Sequence, residues 1–488
     1  MPDQKRLVVV SNRLPVVLER DGDGWSARPG AGGLVTALSP VLGHRGGLWV
    51  GWPGITTEQS QGDWRRKIVQ AFRQAGYDLV PLLLDRAQLD SFYAGFSNQV
   101  LWPLFHDLLE TCRFKPAYWS GYLEVNELFA EEVGRRRRRG DLIWVQDYQL
   151  IHAAHFLRRR TVDNKLAFFL HIPFPQPDVF KRLPWRREVV GALLDYDLVG
   201  FQTMRDRNNF IGCARELVPE ARISAHGAVA KAKIGDRELG IGAFPISIDY
   251  RKFAADARQE SVGLELERLR RQTGDQRVIL GLDRLDYTKG IPERLRGFRT
   301  LLDRHPEWRG KVTLLQVVVP SRESVQRYRE LKAELDRLVG QINGRFASAG
   351  WIPVNYQFRS LKRPELLAHY RLADAVLVTS LKDGMNLVAK EYCACRDDND
   401  GVLVLSEFAG ATSQLGSQAL VVNPFDSQGV GDALHQALAM EREERRTRMS
   451  QLRRMIRRRD IFWWVSRFLE AAAGARLEEY AAELAEGV

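Results

Sequence analysis

Short runs of apolar residues alternate with longer amphipathic segments along the whole chain. Continuous apolar runs of about four to eight residues are typical of strands buried on both faces, and apolar residues at helical spacing are typical of helices that cover a sheet. The alternation therefore predicts the α/β class, with mostly parallel sheets that carry helices on both faces.

The predicted strands form two consecutive series, and amphipathic patterns such as Arg322–Ile342 and Lys362–Leu372 lie between them. The first series is Leu7–Ser11, Gly47–Gly51, Asp78–Leu84, Leu142–Gln146, Leu166–His171, Leu198–Phe201 and Gly240–Phe244. The second series is Arg277–Leu282, Val312–Val319, Val354–Gln357, Ala375–Thr379, Val402–Leu405 and Ala419–Val422. Two series predict two doubly wound, Rossmann-like domains, for which a chain of 488 residues is long enough.

The division between the two domains is predicted near Pro245–Lys252, where the first series ends. We predict one domain over residues 1–246, a second over 247–459, and a helical segment over 460–488 that packs back on the domains. Because ligands of such sheets bind beyond the carboxyl ends of the strands, we expect the two domains to face each other and to hold one substrate on each side of a cleft.

The composition, with 45% hydrophobic and 27% charged residues, is that of a globular protein. No apolar run is long enough to cross a bilayer, so we expect no membrane partner. The four cysteines lack metal-ligand spacing, and free thiols predict a reducing cytoplasm. They are Cys112, Cys213, Cys393 and Cys395.

Much of the formal net charge of +11 lies in two arginine-rich segments, Arg135–Arg139 and Arg442–Arg459. Such segments attract nucleic acid. However, the second mixes Glu with Arg at helical spacing, as a solvated helix face does, and the first lies between two glycines, as a surface loop does. Neither is interleaved with aromatic residues, and basic patches alone give only non-specific attraction, so we expect no specific nucleic-acid partner.

The most informative motif is the run Asp383–Glu391, which follows an apolar strand and is predicted to be a tight turn that opens a helix. A helix N-terminus presents unpaired N–H groups and a partial positive charge, which suit phosphates. Glu391 lies one turn inside that helix, where a carboxylate can accept sugar hydroxyls. The pattern predicts a nucleotide-sugar site, and the alternative is an ordinary turn with solvated polar residues.

A second motif, Gly281–Gly290, follows a strand and adds two cations, Arg284 and Lys289, at its carboxyl end. A guanidinium can bridge phosphate oxygens, and an ammonium acts as a point charge. Together with the helix at Leu387, this predicts a site for a leaving diphosphate that needs no metal. The alternative is a surface cluster of ion pairs.

The first half of the chain has its own polar residues at predicted strand ends, namely Arg13, Asp147 and His171. The glycine-rich stretch Pro29–Leu34 is predicted to be a flexible loop that opens a helix and allows close approach of a ligand. Each signal is weak alone, because a glycine-rich loop is often only a turn and a single histidine is often a half-buried structural residue.

Taken together, these motifs resemble the retaining glycosyltransferases of family 20, the trehalose-phosphate synthase family, which has the GT-B fold. The resemblance covers essentially the whole chain in collinear order. In the first half it is carried by Val10–Arg13, Ala31–Leu34, Gly46–Trp49, Phe96–Asn98, Leu101–Pro103 and Phe169–Pro175. In the second half it is carried by Arg284–Gly290, Asp383–Glu391 and Val402–Gly410.

The resemblance implies transfer of glucose from a nucleoside diphosphate glucose to glucose 6-phosphate with retention, giving trehalose 6-phosphate. UDP-glucose is the expected donor, although the sequence alone does not determine whether the base belongs to UDP, GDP or ADP. It also implies transfer without a metal or other cofactor, and a homo-oligomer is possible.

The resemblance also implies which residues bind the donor. The donor glucose would contact Asp383, Gly384, Met385 and Asn386. The diphosphate would be bound by Arg284, Lys289, Leu387 and Val388, and the glycines that close over it would be Gly32 and Gly33. Glu391 would hold the ribose, and Leu361 would lie near the base.

For the acceptor, the phosphate of glucose 6-phosphate would be bound by Arg13, Tyr93 and Arg322. Trp102 would line the acceptor pocket and Asp147 would bind acceptor hydroxyls. His171 would bind a donor hydroxyl near the reacting carbon. The residues expected to act in the transfer itself are His171, Arg284, Lys289 and Asp147.

Three residues depart from the usual family pattern. Gln146 and Gln149 flank the Asp147–Tyr148 pair where histidines are common, and Gln414 stands where a glutamate is common. These changes leave open a related enzyme with another phosphorylated acceptor, such as glycerol 3-phosphate, and a catalytically silent sugar-phosphate sensor. The His-His-Thr-Pro pattern of the enzymes that make glucosylglycerol phosphate is absent around His171, which favours the trehalose hypothesis.

Overall fold

The computed structural model describes residues 6–22, 24–30, 33–73, 75–160, 163–321 and 326–474. Contacts between residues divide the chain into two compact units. The first contains the described residues up to Pro245 and those from Trp464 onward, and the second runs from Ile246 to Trp463. This division lies one residue before the domain boundary that we predict from the sequence, and it assigns the predicted C-terminal segment to both units.

The first unit is built on a large, mainly parallel sheet and a separate hairpin. Its strands are β1 (Leu7–Arg13), β2 (Val16–Asp21), β3 (Gly24–Pro29), β4 (Gly47–Trp52), β5 (Asp78–Pro81), β6 (Leu142–Gln146), β7 (Lys165–Phe169), β8 (Leu198–Phe201), β9 (Arg222–Ser224), β10 (Val229–Ile234) and β11 (Arg237–Ala243). The nine-stranded sheet has the order β5-β4-β1-β6-β7-β8-β11-β10-β9. Neighbours from β5 to β11 are parallel, whereas β10 and β9 are added antiparallel. Strands β2 and β3 pair only with each other.

Helices cover this first sheet. They are α1 (Gly33–Arg45), α2 (Trp64–Ala71), α3 (Arg86–Gln88), α4 (Trp102–Phe105), α5 (Pro116–Arg136), α6 (Ala153–Arg159), α7 (Pro177–Phe180), α8 (Arg186–Leu194) and α9 (Met204–Leu217). A π-helical segment, Leu89–Leu101, runs directly into α4. Such wide turns are uncommon, and they often occur at functional sites.

The second unit has a six-stranded parallel sheet with the order β14-β13-β12-β15-β16-β17. Its strands are β12 (Arg277–Arg284), β13 (Val312–Val319), β14 (Val354–Phe358), β15 (Ala375–Val378), β16 (Val402–Ser406) and β17 (Leu420–Val422). Its helices are α10 (Tyr250–Asp256), α11 (Glu260–Thr273), α12 (Ile291–Arg304), α13 (Gln326–Phe346), α14 (Arg363–Leu372), α15 (Leu387–Cys395), α16 (Thr412–Leu415), α17 (Ser427–Ala439) and α18 (Arg442–Arg458).

The core of the second unit lies between this sheet and the helices on its faces. Ile279, Leu314 and Leu377 of the strands are buried in one cluster with Leu295 of α12 and Leu335 of α13. Burying one such aliphatic side chain contributes about 1.5–3 kcal/mol. Many such contacts fix the strands, so the loops at the strand ends start from rigid positions.

The last described helix, α19 (Ile461–Ala472), begins in the second unit and continues in the first. Within the first unit, the Phe468 ring stacks on Trp144 at 4.3 Å between centroids. Trp464 is fully buried, and its Nε1 donates to the carbonyl of Phe244 at 3.0 Å. These aromatic contacts attach the helix to the central strand β6.

The α/β prediction is confirmed, and every strand of both predicted series is present with bounds that differ by at most three residues at either end. Strands β2, β3, β9 and β10 were not predicted, because they lie outside the buried parallel series and have alternating or mostly exposed residues. Arg135 and Arg136 belong to the end of α5 and not to a loop. No helix in the described part of the chain is both long and apolar enough to span a membrane.

Candidate active site

Lys289 and Asp383, from the two motifs predicted to bind the donor, lie on loops that follow neighbouring strands, and the chain then continues toward opposite edges of the sheet. β12 and β15 pair directly, but β13 lies on one side of this pair and β16 on the other. Doubly wound sheets bind ligands at such a switch point, beyond the carboxyl ends of the strands. Arg284 is the last residue of β12, and Asp383 lies on the loop after β15.

A salt bridge joins these two loops. Lys289 Nζ lies 2.6 Å from Asp383 Oδ2, and the side chains are 14% and 13% exposed. Desolvation lowers the pKa of Lys289, but the carboxylates of Asp383, Asp283 and Asp286 outweigh it and raise the pKa overall. The amine therefore stays protonated, with the carboxylate of Asp383 as its counter-ion.

The Asp383 carboxylate is also the centre of the turn that opens α15. Ser380 Oγ and Asn386 Nδ2 both donate to Asp383 Oδ2 at 3.2 Å. Asn386 has a left-handed backbone with φ 76°, and its side-chain oxygen accepts the N–H of Ala389 as a helix cap. Asparagine tolerates both roles better than other side chains, which explains why this residue type stands before the helix.

The N-terminus of α15 leaves phosphate-binding groups open. Leu387 and Val388 begin the helix, and no described residue accepts their N–H groups. The Arg284 side chain is exposed and makes no hydrogen bond or ion pair to any described residue. A helix N-terminus carries about half a positive charge, so these groups form a candidate anion site.

Two glycines allow the backbone to pack closely around this site. Gly290 has φ +60°, and a Cβ there would lie 2.0 Å from the carbonyl oxygen of Thr379. Gly410, on the loop after β16, would place a Cβ 1.9 Å from the carbonyl oxygen of Gly384. Backbone bonds from Gly410 N to Asp383 O and from Ala411 N to Met385 O complete the contact. The predicted sugar-contacting residues are therefore held by a second loop.

Glu391 lies in the middle of α15, where Tyr370 of α14 donates its hydroxyl to Glu391 Oε2 at 2.8 Å. Burial raises the pKa of Glu391 above its usual value, while the tyrosine hydrogen bond opposes the rise. Leu361 is half-buried in the loop between β14 and α14. Tyr370 was missed by sequence reasoning, because an isolated tyrosine on a helix gives no local signal.

Gln414, which stands where a glutamate is common in the family, contacts Lys390. This amine is buried and donates to Gln414 Oε1 at 2.6 Å and to the carbonyl of Ile246 at 2.7 Å. Burial lowers the pKa of Lys390 to about 7. Gln414 is therefore attached to α15 through the side chain of Lys390.

In the first unit, Arg13 ends β1 and lies over the ring of Trp52, with its guanidinium carbon 4.6 Å from the ring centroid. The backbone of Gly54 passes beside it, and a Cβ there would lie 2.5 Å from a guanidinium nitrogen. Tyr93 lies on the π-helical segment, and its ring is 6.4 Å from that of Trp52. The structure thus brings Arg13 and Tyr93 to the same aromatic platform.

Asp147 follows β6 with a backbone conformation that is strained for a side chain, at φ 71° and ψ 169°. Such conformations cost about 1–3 kcal/mol and tend to occur at functional sites. Its Oδ1 accepts the N–H of His171 at 3.1 Å. Desolvation raises the pKa of Asp147 to about 6, although backbone N–H groups of Tyr148, His171 and Ile172 oppose the rise.

His171 lies two residues beyond β7, and its Nε2 is 2.9 Å from Gln146 Oε1. An amide oxygen only accepts, so the ring donates from Nε2 and keeps Nδ1 as an acceptor. Desolvation lowers the pKa of His171 to about 3, which makes the ring neutral at physiological pH. Gln146 therefore takes part in the site directly.

Trp102 is buried at the start of α4, and its ring lies 5.8 Å from that of Tyr148. The Tyr148 hydroxyl donates to Asn98 Oδ1 at 3.1 Å, and Asn98 Nδ2 donates to the carbonyl of Tyr93 at 2.8 Å. This chain of contacts connects the π-helical segment to the loop that carries Asp147.

Two predicted site residues, Gly32 and Arg322, lie outside the described residues, and helix α1 begins at Gly33. One group in the described part of the chain has the spacing of metal ligands, namely His305, Glu307 and His435. His305 and Glu307 follow the C-terminal end of α12, whereas the diphosphate motif precedes the N-terminal end of the same helix. A helix of 14 residues is about 21 Å long. The group is thus remote from the anion site.

The chain is similar to known proteins along nearly its whole length. The profile described as Glycosyltransferase family 20 matches residues 5–473. The trehalose-6-phosphate synthase of Mycobacterium bovis is 42% identical over 476 residues, which cover 96% of this chain and 94% of the relative. That of Mycolicibacterium smegmatis is 43% identical over 474 residues, covering 96% and 92%.

Solved structures are also similar to this chain over nearly its full length. An α,α-trehalose-phosphate synthase (UDP-forming) from Burkholderia xenovorans in complex with glucose-6-phosphate has a TM-score of 0.86 and 35% identity, covering 96% of this chain and 100% of that one. An E. coli structure bound with UDP-2-fluoro glucose has a TM-score of 0.86 and 37% identity, covering 96% and 99%. With this profile match and these relatives along nearly its full length, the chain belongs to glycosyltransferase family 20 and has the two Rossmann-like domains of the GT-B fold.

Proposed function

We propose that this chain transfers the glucosyl group of UDP-glucose to the anomeric oxygen of glucose 6-phosphate with retention, giving α,α-trehalose 6-phosphate and UDP. The observation that carries the proposal is the Lys289–Asp383 salt bridge, which joins the two donor motifs beside the open N-terminus of α15. The names of the relatives and the ligands of the E. coli and B. xenovorans structures support the same donor and acceptor.

In this reaction the bond from the donor C1 to the β-phosphate oxygen breaks, and a bond from C1 to the acceptor oxygen forms. The acceptor proton passes to the leaving phosphate. Arg284, Lys289 and the N-terminus of α15 stabilise the negative charge that develops on that phosphate, which is where sites of this kind gain much of their rate. These groups supply the charge that a metal would otherwise supply, so we propose transfer without a metal.

Retention through a covalent intermediate requires a carboxylate nucleophile at the anomeric carbon. Asp383 is the carboxylate among the residues proposed to contact the donor glucose, but its Oδ2 already accepts hydrogen bonds from Lys289, Ser380 and Asn386. These donors make it a weak nucleophile. We therefore propose attack from the same face that the phosphate leaves.

The acceptor and sugar contacts are assigned to the first unit. Arg13 and Tyr93 bind the acceptor phosphate, and Trp102 lines the acceptor pocket. The Asp147 carboxylate accepts acceptor hydroxyls. Neutral His171 accepts a donor hydroxyl at Nδ1, because its Nε2 is bonded to Gln146.

A matrix of donors and acceptors tests the proposal. UDP-, GDP- and ADP-glucose are each mixed with glucose 6-phosphate, glycerol 3-phosphate or no acceptor, with and without EDTA, and nucleotide release and product are measured. We expect UDP-glucose with glucose 6-phosphate to be the best pair, EDTA to have no effect, and NMR to show an α,α linkage. A preference for glycerol 3-phosphate, or no release with any pair, would contradict the proposal.

The four cysteines are buried free thiols, as a reducing compartment would leave them. On this basis we propose a cytoplasmic location. Intact cells that make the protein can be treated with a reagent that does not cross the membrane. Labelling of the protein under these conditions would contradict a cytoplasmic location.

A further inference from the structure

A buried tyrosine holds one oxygen of the carboxylate that is proposed to bind the donor ribose. Tyr370 belongs to α14, is 0% exposed, and donates its hydroxyl to Glu391 Oε2 at 2.8 Å. Glu391 Oε1 accepts no hydrogen bond from any described residue. The carboxylate therefore has one fixed oxygen and one available oxygen.

This arrangement restricts the carboxylate in two ways. A hydrogen bond from a rigid, buried hydroxyl fixes the carboxylate torsion, so less side-chain entropy is lost when a ligand binds. It also favours the ionised form in a place where burial disfavours it. The other groups that act on this pair are the guanidinium of Arg363, which also lowers the pKa of Glu391, and the thiol of Cys395 and the carboxylate of Asp283, which both raise the pKa of Tyr370.

We propose that Tyr370 is a positioning residue that aims Glu391 Oε1 at the ribose hydroxyls, and thereby makes the enzyme select ribonucleotide donors over deoxyribonucleotide donors. The inference rests on the proposed function of this site as a nucleotide-sugar site. It assigns ribose selectivity to a hydroxyl on α14 that itself touches no substrate.

The test compares Tyr370→Phe with a matched control, Tyr392→Phe. Tyr392 lies on α15 beside Glu391 and is also 0% exposed, but its hydroxyl donates to the backbone carbonyls of Ala373 at 3.3 Å and Asp374 at 3.5 Å. Each substitution removes one buried hydroxyl. Only the first removes a hydrogen bond to the carboxylate.

The measurements are kcat and KM for UDP-glucose and for its 2′,3′-dideoxy analogue. Hydrogen bonds to a charged group contribute about 10- to 100-fold, so the wild type should prefer the ribonucleotide by that factor. In Tyr370→Phe we expect KM for UDP-glucose to rise about tenfold with kcat nearly unchanged, and the preference to shrink by a similar factor. Tyr392→Phe should keep the wild-type preference.

The pH profile gives an independent measure. Loss of the tyrosine hydrogen bond raises the pKa of Glu391 further. The acid limb of kcat/KM for the donor should therefore move to higher pH in Tyr370→Phe and should not move in Tyr392→Phe. Unchanged preference and an unchanged acid limb in Tyr370→Phe, or equal losses in both variants, would overturn the inference. Absence of any transfer by the wild type with UDP-glucose would instead contradict the proposed function.

Discussion

Replacement of Lys289 by methionine should lower both stability and turnover, because this lysine neutralises a largely buried carboxylate and is proposed to stabilise the donor diphosphate. Removing one partner of a buried ion pair costs about 3–5 kcal/mol, since the other charge is left without compensation. Asp383 keeps its hydrogen bonds from Ser380 and Asn386 at 3.2 Å, so we expect the lower end of that range. Turnover should fall about 100-fold or more for the loss of one charged contact to the leaving group.

A double-mutant cycle separates the two effects. Unfolding in urea gives the stability of Lys289→Met, Asp383→Asn and the double variant, and nucleotide release under saturating donor gives turnover. The double variant removes both charges, so it should recover more than half of the lost stability while turnover stays low. Arg284→Ala is the matched control for stability. It removes an exposed cation without a described partner, so stability should change by less than about 0.5 kcal/mol while turnover falls about 100-fold.

Two results would refute this reasoning. If Lys289→Met unfolds at the wild-type urea concentration, the salt bridge does not compensate a buried charge. If Arg284→Ala keeps near-normal turnover, the cations at the end of β12 do not stabilise the leaving phosphate, and the donor site must lie elsewhere.

Three further predictions concern the first unit. The affinity for glucose 6-phosphate should fall as the pH drops through about 6, because the pKa of Asp147 is raised to about that value and its carboxylate becomes protonated there. Profiles of KM against pH should lose this dependence in Asp147→Asn. Gly54→Ala should raise KM for glucose 6-phosphate about tenfold, because the new Cβ clashes with the Arg13 guanidinium. The control is Gly140→Ala: Gly140 has a similar φ of +87° but open space around it, so this variant should lose stability without a change in KM. Gln146→Leu should lower kcat about tenfold by releasing the His171 ring, and it should lower stability by about 1–3 kcal/mol because the buried Nε2–H of His171 loses its acceptor.

Local patterns in the sequence predicted the strands and the positions of polar residues at their ends. A buried strand in a parallel sheet is a continuous apolar run, and this signal depends only on neighbouring residues. The α/β class, Arg284 at the end of β12 and the helix after Asn386 follow from such patterns. The paired strands β2 and β3 have no such run, and so they were missed.

Contacts between distant residues were decided by the tertiary structure. Lys289 and Asp383 are 94 residues apart, and only the pairing of β12 with β15 brings their loops together. The strained backbone of Asp147 is held by contacts with the loop after β7.

The sequence by itself therefore determined the two doubly wound domains and the types of residue at each strand end, because strand and turn preferences act over a few neighbouring positions. The tertiary structure decided which oxygen of Glu391 is left for a ligand, which nitrogen of His171 accepts, and how Lys289 is neutralised. These properties depend on the distances between side chains from separate elements, and such distances are fixed only when the core packs.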